Sequence, residues 1–370
     1  MKGDTVTLKA VEGGRVVSLK VAELSQEDQD FLVRTGRWKA EEASGEAKGG
    51  GKGRSKEAKD NYKAPWPRWA EVAEKPKIAI VSEDPEAGKF IYHSPHYEYT
   101  CDVRLNKSLV QRLSRMFEAT FEAMRLLPLN NQKALAFDQS ERMPIILCEK
   151  ESTYLENGGP PGSAGVYFQK TNSVLVPLSS LGVKKMGSGY IIDRDSSNKV
   201  LVHELVHQLT DEEYYSVGAR GWFTEGLAEY VCNSPYLSSG KIKFSGNVDE
   251  ITDAVCHVSK EYGRGRMLGY EIEMPDLRKF MMQSYQSFVA DAGFNYGFGT
   301  LMVTWIFEEA RLGNRTALVN FLKAMHDGQD GEELVKTLRN GRSWDQFCQE
   351  MEKFWKRKGV KIRFGPVTSQ

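Results

Sequence analysis

Long apolar runs are missing from this chain of 370 residues. A membrane-spanning helix needs about 18 or more consecutive apolar residues, and no segment of the sequence provides them. Neither sign of charge is in excess, because 50 Lys and Arg residues balance 50 Asp and Glu residues. We therefore expect no membrane insertion and no nucleic-acid partner, since the strong positive field that would attract either surface is absent.

Cysteine is scarce and poorly spaced for cross-links or metal binding. The five cysteines are odd in number and widely separated, and no two of them form a CxxC pair. This pattern disfavours both a disulfide framework and a structural zinc site built from thiolates. Most of the cysteines are therefore expected to behave as small core residues.

Val, Ile, Leu, Phe and Met are absent between Lys39 and Ala64. The stretch is rich in Gly, Lys, Glu, Ala and Ser, so it can bury too little apolar surface to offset the entropy of ordering. We expect a flexible linker over residues 37–64. This linker would separate a small module at residues 1–36 from a main domain at residues 65–370.

Short strands are predicted in the N-terminal module, at residues 5–8 and 17–21, on either side of a Gly-containing turn. Together with the segment VAELSQEDQDFL that follows, they resemble part of the SLA-type homology domain. That domain is a small SH-three-like β module found ahead of enzymatic domains in some bacterial envelope proteins. The resemblance implies a bacterial cell-envelope or secreted protein whose signal peptide is not part of this chain, with a cytoplasmic location as the alternative.

Strand patterns fill the first half of the main domain and helical patterns fill its second half. The predicted strands cover residues 78–81, 90–93, 97–101 and 143–148, followed by a hairpin of residues 165–169 and 174–178. A long amphipathic helix over residues 109–124 stops before Pro128. Further helices are predicted around residues 199–209, 224–232, 275–290, 296–311, 315–326 and 344–357. This order predicts an α+β fold.

The motif HELVH occupies residues 203–207. On a helix, His203 and His207 lie one turn apart on the same face, so both imidazoles can reach one metal ion. Glu204 lies beside them, placed to take a proton from a water molecule on that metal. The alternative is a pair of surface histidines that flank a solvated Glu.

A second motif, WFTEGLAEY, follows at residues 222–230. Thr224 is expected to cap a helix on which Glu225 and Glu229 share a face. HELVHQLT followed by this motif resembles the gluzincin metallopeptidases, in which a carboxylate on a second helix provides the third metal ligand. The third histidine of the metzincin pattern is absent.

The gluzincin resemblance implies a zinc cofactor held by His203, His207 and Glu225, with Glu204 as the general base. It also implies that Glu229 orients the first histidine from outside the metal site. Over residues 90–357 the order of elements is similar to the broad peptidase MA-like group. That similarity implies a zincin-like catalytic domain whose substrate is a peptide or protein.

The resemblance also indicates an oxyanion donor. In the aminopeptidase branch of the gluzincins this is a Tyr in a Y-x-x-G helix start, and Tyr296, 71 residues after Glu225, fits that position. The alternative is that Tyr296 is a buried aromatic side chain at the start of a helix. The aminopeptidase marker GAMEN is missing, so no site for a substrate amino terminus is predicted.

Gly165, Val166 and Tyr167 precede the metal-binding helix in the chain. In zincins the strand at this position is the sheet edge along which an extended substrate adds as a further strand, so the resemblance implies that these three residues bind substrate. The alternative is a plain core hairpin.

Three functions are compatible with these motifs. The first is a zinc peptidase. The second is a zinc amidase that acts on cell-wall or other non-peptide amides, because the same chemistry can attack any carbonyl. The third is a non-catalytic zinc-binding protein, but a purely structural site has no need of a base at Glu204. The remaining histidines are expected to lie outside the site: His93, His96, His257 and His326.

Overall fold

Two compact units, residues 1–54 and residues 55–370, make up the chain. The computed structural model describes residues 5–9, 16–20, 60–72, 74–193, 199–215, 221–258 and 266–367. In the first unit, strand β1 (Thr5–Lys9) pairs antiparallel with strand β2 (Val16–Lys20). Both predicted strands are thus confirmed. The segment VAELSQEDQDFL after them, and residues 37–59 of the predicted linker, lie outside the described residues.

The second unit contains the other described strands and the described helices. The strands are β3 (Trp69–Glu71), β4 (Ala79–Asp84), β5 (Lys89–His93), β6 (Tyr97–Cys101), β7 (Met143–Cys148), β8 (Val166–Phe168), β9 (Ser173–Pro177), β10 (Val183–Met186), β11 (Gly189–Ile192), β12 (Tyr236–Leu237), β13 (Lys241–Lys243), β14 (Glu271–Met274) and β15 (Lys361–Phe364). The helices are α1 (Lys107–Leu126), α2 (Gln132–Leu135), α3 (Glu151–Glu156), α4 (Lys199–Leu209), α5 (Gly221–Asn233), α6 (Val248–Cys256), α7 (Leu277–Met282), α8 (Tyr285–Ala290), α9 (Ala292–Arg311), α10 (Thr316–His326), α11 (Gly331–Arg339) and α12 (Trp344–Lys356). Short 3-10 helices span Gln169–Thr171, Leu178–Leu181 and Glu212–Tyr214.

The main sheet has six strands in the order β4-β5-β6-β7-β9-β8. Strands β4, β5 and β6 form an antiparallel meander, whereas β6, β7 and β9 run parallel. Parallel neighbours need a crossover connection, and the connection between β6 and β7 contains α1. Strand β8 pairs antiparallel with β9 and forms one edge of the sheet. Strand-rich and helical halves follow one another as predicted, and the mixed composition fits an α+β fold.

Helix α1 packs its apolar face into the core as predicted. Asn106 caps its start, since the side-chain oxygen accepts a hydrogen bond from the Leu109 N–H at 2.9 Å. The helix ends at Leu126, because Leu127 precedes Pro128 and adopts an extended conformation.

Among the described residues, no helix has both the length and the apolar character needed to cross a membrane. The five cysteines are free and buried, which confirms their expected role in the core.

The packed part of the second unit begins earlier than predicted. The Asn61 side chain donates a hydrogen bond to the Leu127 carbonyl at 2.9 Å, and Tyr62 is 6% exposed. Arg315 also donates to the Ala64 carbonyl at 2.7 Å. Residues 61–64 therefore belong to the second unit, and the predicted linker of residues 37–64 is too long at its C-terminal end. Its composition concealed this, because the anchors are single polar contacts to distant residues.

The prediction of one helix over residues 275–290 is wrong, because this segment forms two short helices, α7 and α8. Gln283 is extended, with a ψ of 148°, and the Ser284 side chain accepts the Ser287 N–H at 3.2 Å to start α8. Helix α9 begins at Ala292, so Tyr296 lies one turn inside the helix and not at its start. Helix α5 likewise begins at Gly221, before Thr224, which therefore is not the N-cap. Helix α11 was not predicted.

Helices α5 and α9 pack unusually closely, with a glycine from each at the contact. A Cβ atom on Gly226 would lie 2.6 Å from the Gly299 carbonyl oxygen and 2.8 Å from Cγ2 of Val303. A Cβ atom on Gly299 would lie 2.9 Å from the Trp222 carbonyl oxygen. Gly226 follows Glu225 in the second motif, so the close approach brings α9 directly against the turn that carries Glu225.

We expect Gly226→Ala to destabilise the protein, because its methyl group would push apart two helix backbones. Overpacking of this kind typically costs about 1–3 kcal/mol of unfolding free energy, measurable by chemical denaturation. Gly293→Ala is the matched control, since Gly293 lies in α9 with no atom near its Cβ position. That variant should be neutral or more stable by up to about 1 kcal/mol. Equal effects of the two substitutions would contradict the close packing.

Candidate metal centre

Helix α4 carries the HELVH motif and is buried along most of its length. Leu201, Leu205 and Leu209 anchor it in the core, while His203 and His207 are 9% and 7% exposed. The two imidazole rings lie 4.6 Å apart, and their Nε2 atoms are separated by 3.0 Å. The predicted same-face geometry is therefore confirmed. Residues 194–198, which precede this helix in the chain, lie outside the described part.

Helix α5 places Glu225 beside the Nε2 atoms of His203 and His207. The Glu225 side chain is almost fully buried, and its Oε2 lies 3.1 Å from Nε2 of both His203 and His207. Donor atoms around a four-coordinate zinc ion, bonded at 2.0–2.2 Å, lie about 3.3 Å apart. The triangle of two nitrogens and one oxygen thus has nearly the dimensions of three ligand positions.

The outward-facing atoms of these three side chains each have a hydrogen-bonding partner. His203 Nδ1 lies 3.1 Å from Oε1 of Glu229, which accepts hydrogen bonds only. His203 therefore carries its proton on Nδ1 when neutral, and Nε2 presents a lone pair to the centre. His207 Nδ1 lies 2.6 Å from the Tyr215 hydroxyl, and Oε1 of Glu225 accepts a hydrogen bond from the Tyr285 hydroxyl at 2.9 Å. Such outer partners commonly fix the tautomer and orientation of metal ligands.

The electrostatics of this centre favour a cation. Burial alone would raise the pKa of Glu225, but the neighbouring His207 and His203 hold it well below its ordinary value. Burial would also raise the pKa of Glu229, yet hydrogen bonds from His203 and Arg266 lower it to about 2. Arg266 already provides a positive charge for Glu229, whereas the buried carboxylate of Glu225 has only imidazole nitrogens beside its Oε2 and is stabilised by a cation there. The donor set therefore fits a metal ion.

The Glu204 carboxylate contacts the edge of the main sheet. Its Oε2 accepts a hydrogen bond from the Tyr167 N–H of β8 at 2.8 Å. The Tyr167 ring lies 6.4 Å from the His207 ring, on the side of the metal centre. Val166 instead packs against Cys148 and Tyr154 on the other side of the strand. Of the three residues predicted to bind substrate, the Tyr167 side chain thus faces the metal and the Val166 side chain does not.

Gly165 has no conformational need to be glycine. A Cβ atom there would lie 3.4 Å from Val176 and 3.5 Å from Cγ of Glu204, which are ordinary contacts. Gly165 is buried beside Glu204 and immediately precedes β8. Its predicted role in substrate binding stays a prediction.

Tyr296 lies beside the centre, as predicted, although its helix starts earlier. Its ring stacks on His203 with centroids 6.1 Å apart, and the Arg266 guanidinium lies 4.7 Å from the ring centroid. Burial, with the negative charge of Glu225, raises the Tyr296 pKa to about 12. The phenol therefore stays protonated at neutral pH and can donate a hydrogen bond.

Sequence reasoning missed Tyr215, Arg266 and Tyr285. Arg266 donates to Glu229 at 2.5 and 3.2 Å, and thereby holds the carboxylate that faces His203. No motif marks these residues, because each belongs to a different segment from its partner. The one available signal was the short separation of Tyr215 from His207, eight residues in the chain.

A second cluster also has metal-ligating side chains: Asp211, Glu213 and His326. The Asp211 carboxylate, however, already accepts the backbone N–H groups of Gln132 and Lys133, at 2.7 and 2.8 Å. Those bonds satisfy the start of α2, so the carboxylate has a structural role. His326 lies at the end of α10 as expected, and its Nε2 is 3.1 Å from the Tyr214 hydroxyl. This cluster is the weaker candidate.

Comparison with known proteins identifies no relative: no family model matches the chain, and no curated protein matches it significantly. The metal centre is therefore inferred from the side chains of α4 and α5 themselves. Two of its three donors are imidazole nitrogens, which suit zinc and other transition metals better than calcium or magnesium.

We expect the purified protein to bind one divalent transition-metal ion per chain, because the three donor atoms form a single site. His207→Ala removes one donor and should leave little metal after dialysis, measured by inductively coupled plasma mass spectrometry. His326→Ala is the matched control and should retain the wild-type metal content. Loss of metal in His326→Ala but not in His207→Ala would place the metal at the cluster of Asp211, Glu213 and His326.

Proposed function

We propose that this protein is a zinc-dependent hydrolase, and specifically a gluzincin-type metallopeptidase with a zincin-like catalytic domain. The observation that carries the proposal is the convergence of His203, His207 and Glu225, with Glu204 beside them and turned toward a free sheet edge. A catalytic zinc site in proteins commonly has three such ligands and one open position. Zinc held there would polarise a substrate carbonyl and make a water molecule more acidic.

Glu204 is the proposed general base. Among the described residues, Tyr167 is the hydrogen-bond donor to its carboxylate, and that bond engages Oε2. The other oxygen, Oε1, is then the proton acceptor for the attacking water, and it can return the proton to the leaving amine. The hydrogen bond from the strand backbone holds the carboxylate in one orientation without neutralising it.

Strand β8 is the proposed docking edge for an extended peptide. The Tyr167 N–H points to Glu204 and therefore away from β9, and in an antiparallel pair the carbonyl of the same residue points the same way. The Tyr167 carbonyl thus faces away from β9, where a substrate strand can pair with it, while the Tyr167 N–H is engaged by Glu204. A peptide aligned in this way would pass next to Glu204, which favours peptide bonds over isolated amides as substrates.

Tyr296 is the proposed oxyanion donor. Its phenol is kept protonated by burial and lies against His203, so it can donate to the oxygen that gains negative charge in the transition state. Because the donor is held by packing on α9, little reorganisation is needed during the reaction.

The substitution Glu204→Gln tests whether Glu204 acts as a general base and not as a metal ligand. The amide preserves shape but cannot accept a proton, so hydrolysis of a peptide library should fall by roughly 10²-fold or more. Zinc content should stay at the wild-type level, because Glu204 does not belong to the metal triangle. Glu225→Gln is the contrasting variant and should weaken metal retention. Equal metal loss in both variants would show that the two roles are assigned wrongly.

Tyr296→Phe should lower kcat by about 10²- to 10³-fold, the usual cost of removing one oxyanion donor. KM and zinc content should change little, because the lost hydrogen bond forms mainly in the transition state. Steady-state kinetics on a cleaved library peptide measures both constants. A kcat close to that of wild type would mean that Tyr296 only packs against His203.

A further inference from the structure

Tyr285 touches the metal centre from the surface. Its hydroxyl donates to Oε1 of Glu225 at 2.9 Å, while the residue as a whole is 51% exposed. A phenol hydroxyl is an uncharged hydrogen-bond donor, and here it donates to a buried carboxylate. A neutral donor can hold a carboxylate without competing with a metal ion for its charge.

The short helix α8 carries Tyr285 and packs against both α5 and α9. Phe288 packs against Gly221 at the start of α5, where a Cβ atom would come within 3.0 Å of its ring. The Asn295 side chain of α9 donates to the Phe288 carbonyl at 2.7 Å. Ser284 caps the start of α8. Tyr285 is therefore positioned by packing on both sides, independently of its bond to Glu225.

Glu225 needs such a restraint more than the two histidines do. A Glu carboxylate is attached through a broad, weakly restrained terminal torsion, whereas an imidazole presents its nitrogen in a fixed plane. Oε2 faces His203 and His207, and Oε1 faces Tyr285. The phenol thus determines which oxygen is directed at the centre. Without it, the carboxylate can rotate away or present both oxygens.

We propose that Tyr285 is a positioning residue that holds Glu225 for metal binding through a single oxygen. The inference rests on the metal centre of the proposed function and adds a residue from outside both motifs. It predicts that metal affinity depends on a hydroxyl group that never contacts the metal. Outer partners of this kind typically contribute 10- to 100-fold to metal affinity.

The test is zinc affinity of the full chain, measured by competition with a chromophoric chelator at fixed pH. Tyr285→Phe should weaken zinc binding by about 10- to 100-fold, while the melting temperature of the metal-free protein stays at the wild-type value. Tyr270→Phe is the matched control, because the Tyr270 hydroxyl also donates to a carboxylate, that of Asp253 at 3.2 Å. It should leave zinc affinity unchanged.

A double-substitution experiment distinguishes positioning of Glu225 from a general disturbance of the site. In a Glu225→Ala background, Tyr285→Phe should cause no further loss of zinc affinity, because the hydrogen-bond acceptor of Tyr285 is gone. An equal loss in both backgrounds, or wild-type affinity in Tyr285→Phe alone, would overturn the proposal. A wild-type protein that binds zinc but hydrolyses no peptide would contradict the proposed peptidase function while leaving this affinity test valid. A wild-type protein that binds no zinc would overturn both.

Discussion

Two imidazole nitrogens and a carboxylate oxygen lie 3.0–3.1 Å from one another in a buried pocket between α4 and α5. Such lone pairs repel unless a cation lies among them, so the fold maintains an arrangement that has a cost of its own. The surrounding contacts resist that repulsion. Glu229 and Tyr215 hold the outer nitrogens of His203 and His207, and Tyr285 holds the outer oxygen of Glu225.

Backbone packing determines how closely the supporting elements approach this centre. Gly226 lies against Gly299, so α5 and α9 meet without intervening side chains. That contact places Tyr296, one turn before Gly299, against the ring of His203. On the opposite side, the Tyr167 N–H of the sheet edge reaches Glu204. The centre thus joins the strand-rich and helical halves of the unit, and a change at either contact alters the orientation of a side chain in the site.

Local sequence patterns predicted much of the fold. The strands at Tyr97–Cys101 and Met143–Cys148 and helix α4 have the predicted limits, because the apolar strand patterns and the helical periodicity are strong there. Prediction failed where a tertiary contact outweighed local preference. The residues around Ser284 have a continuous helical pattern, but the cap at Ser284 and the packing of Phe288 on Gly221 divide it. Likewise, Tyr62 is buried although its neighbours have the composition of a linker.

The sequence by itself determined the spacing of His203 and His207, because residues four apart on any helix share a face. It also indicated Glu225, through the second motif. That the helix of Glu225 meets the helix of the two histidines was suggested only by the resemblance of the two motifs to the gluzincins. Tertiary structure alone decided the rest of the centre. Arg266 reaches Glu229 across 37 residues of chain, and Tyr285 reaches Glu225 across 60. Contacts over such separations depend on how helices pack, which the periodicity of a single segment does not encode.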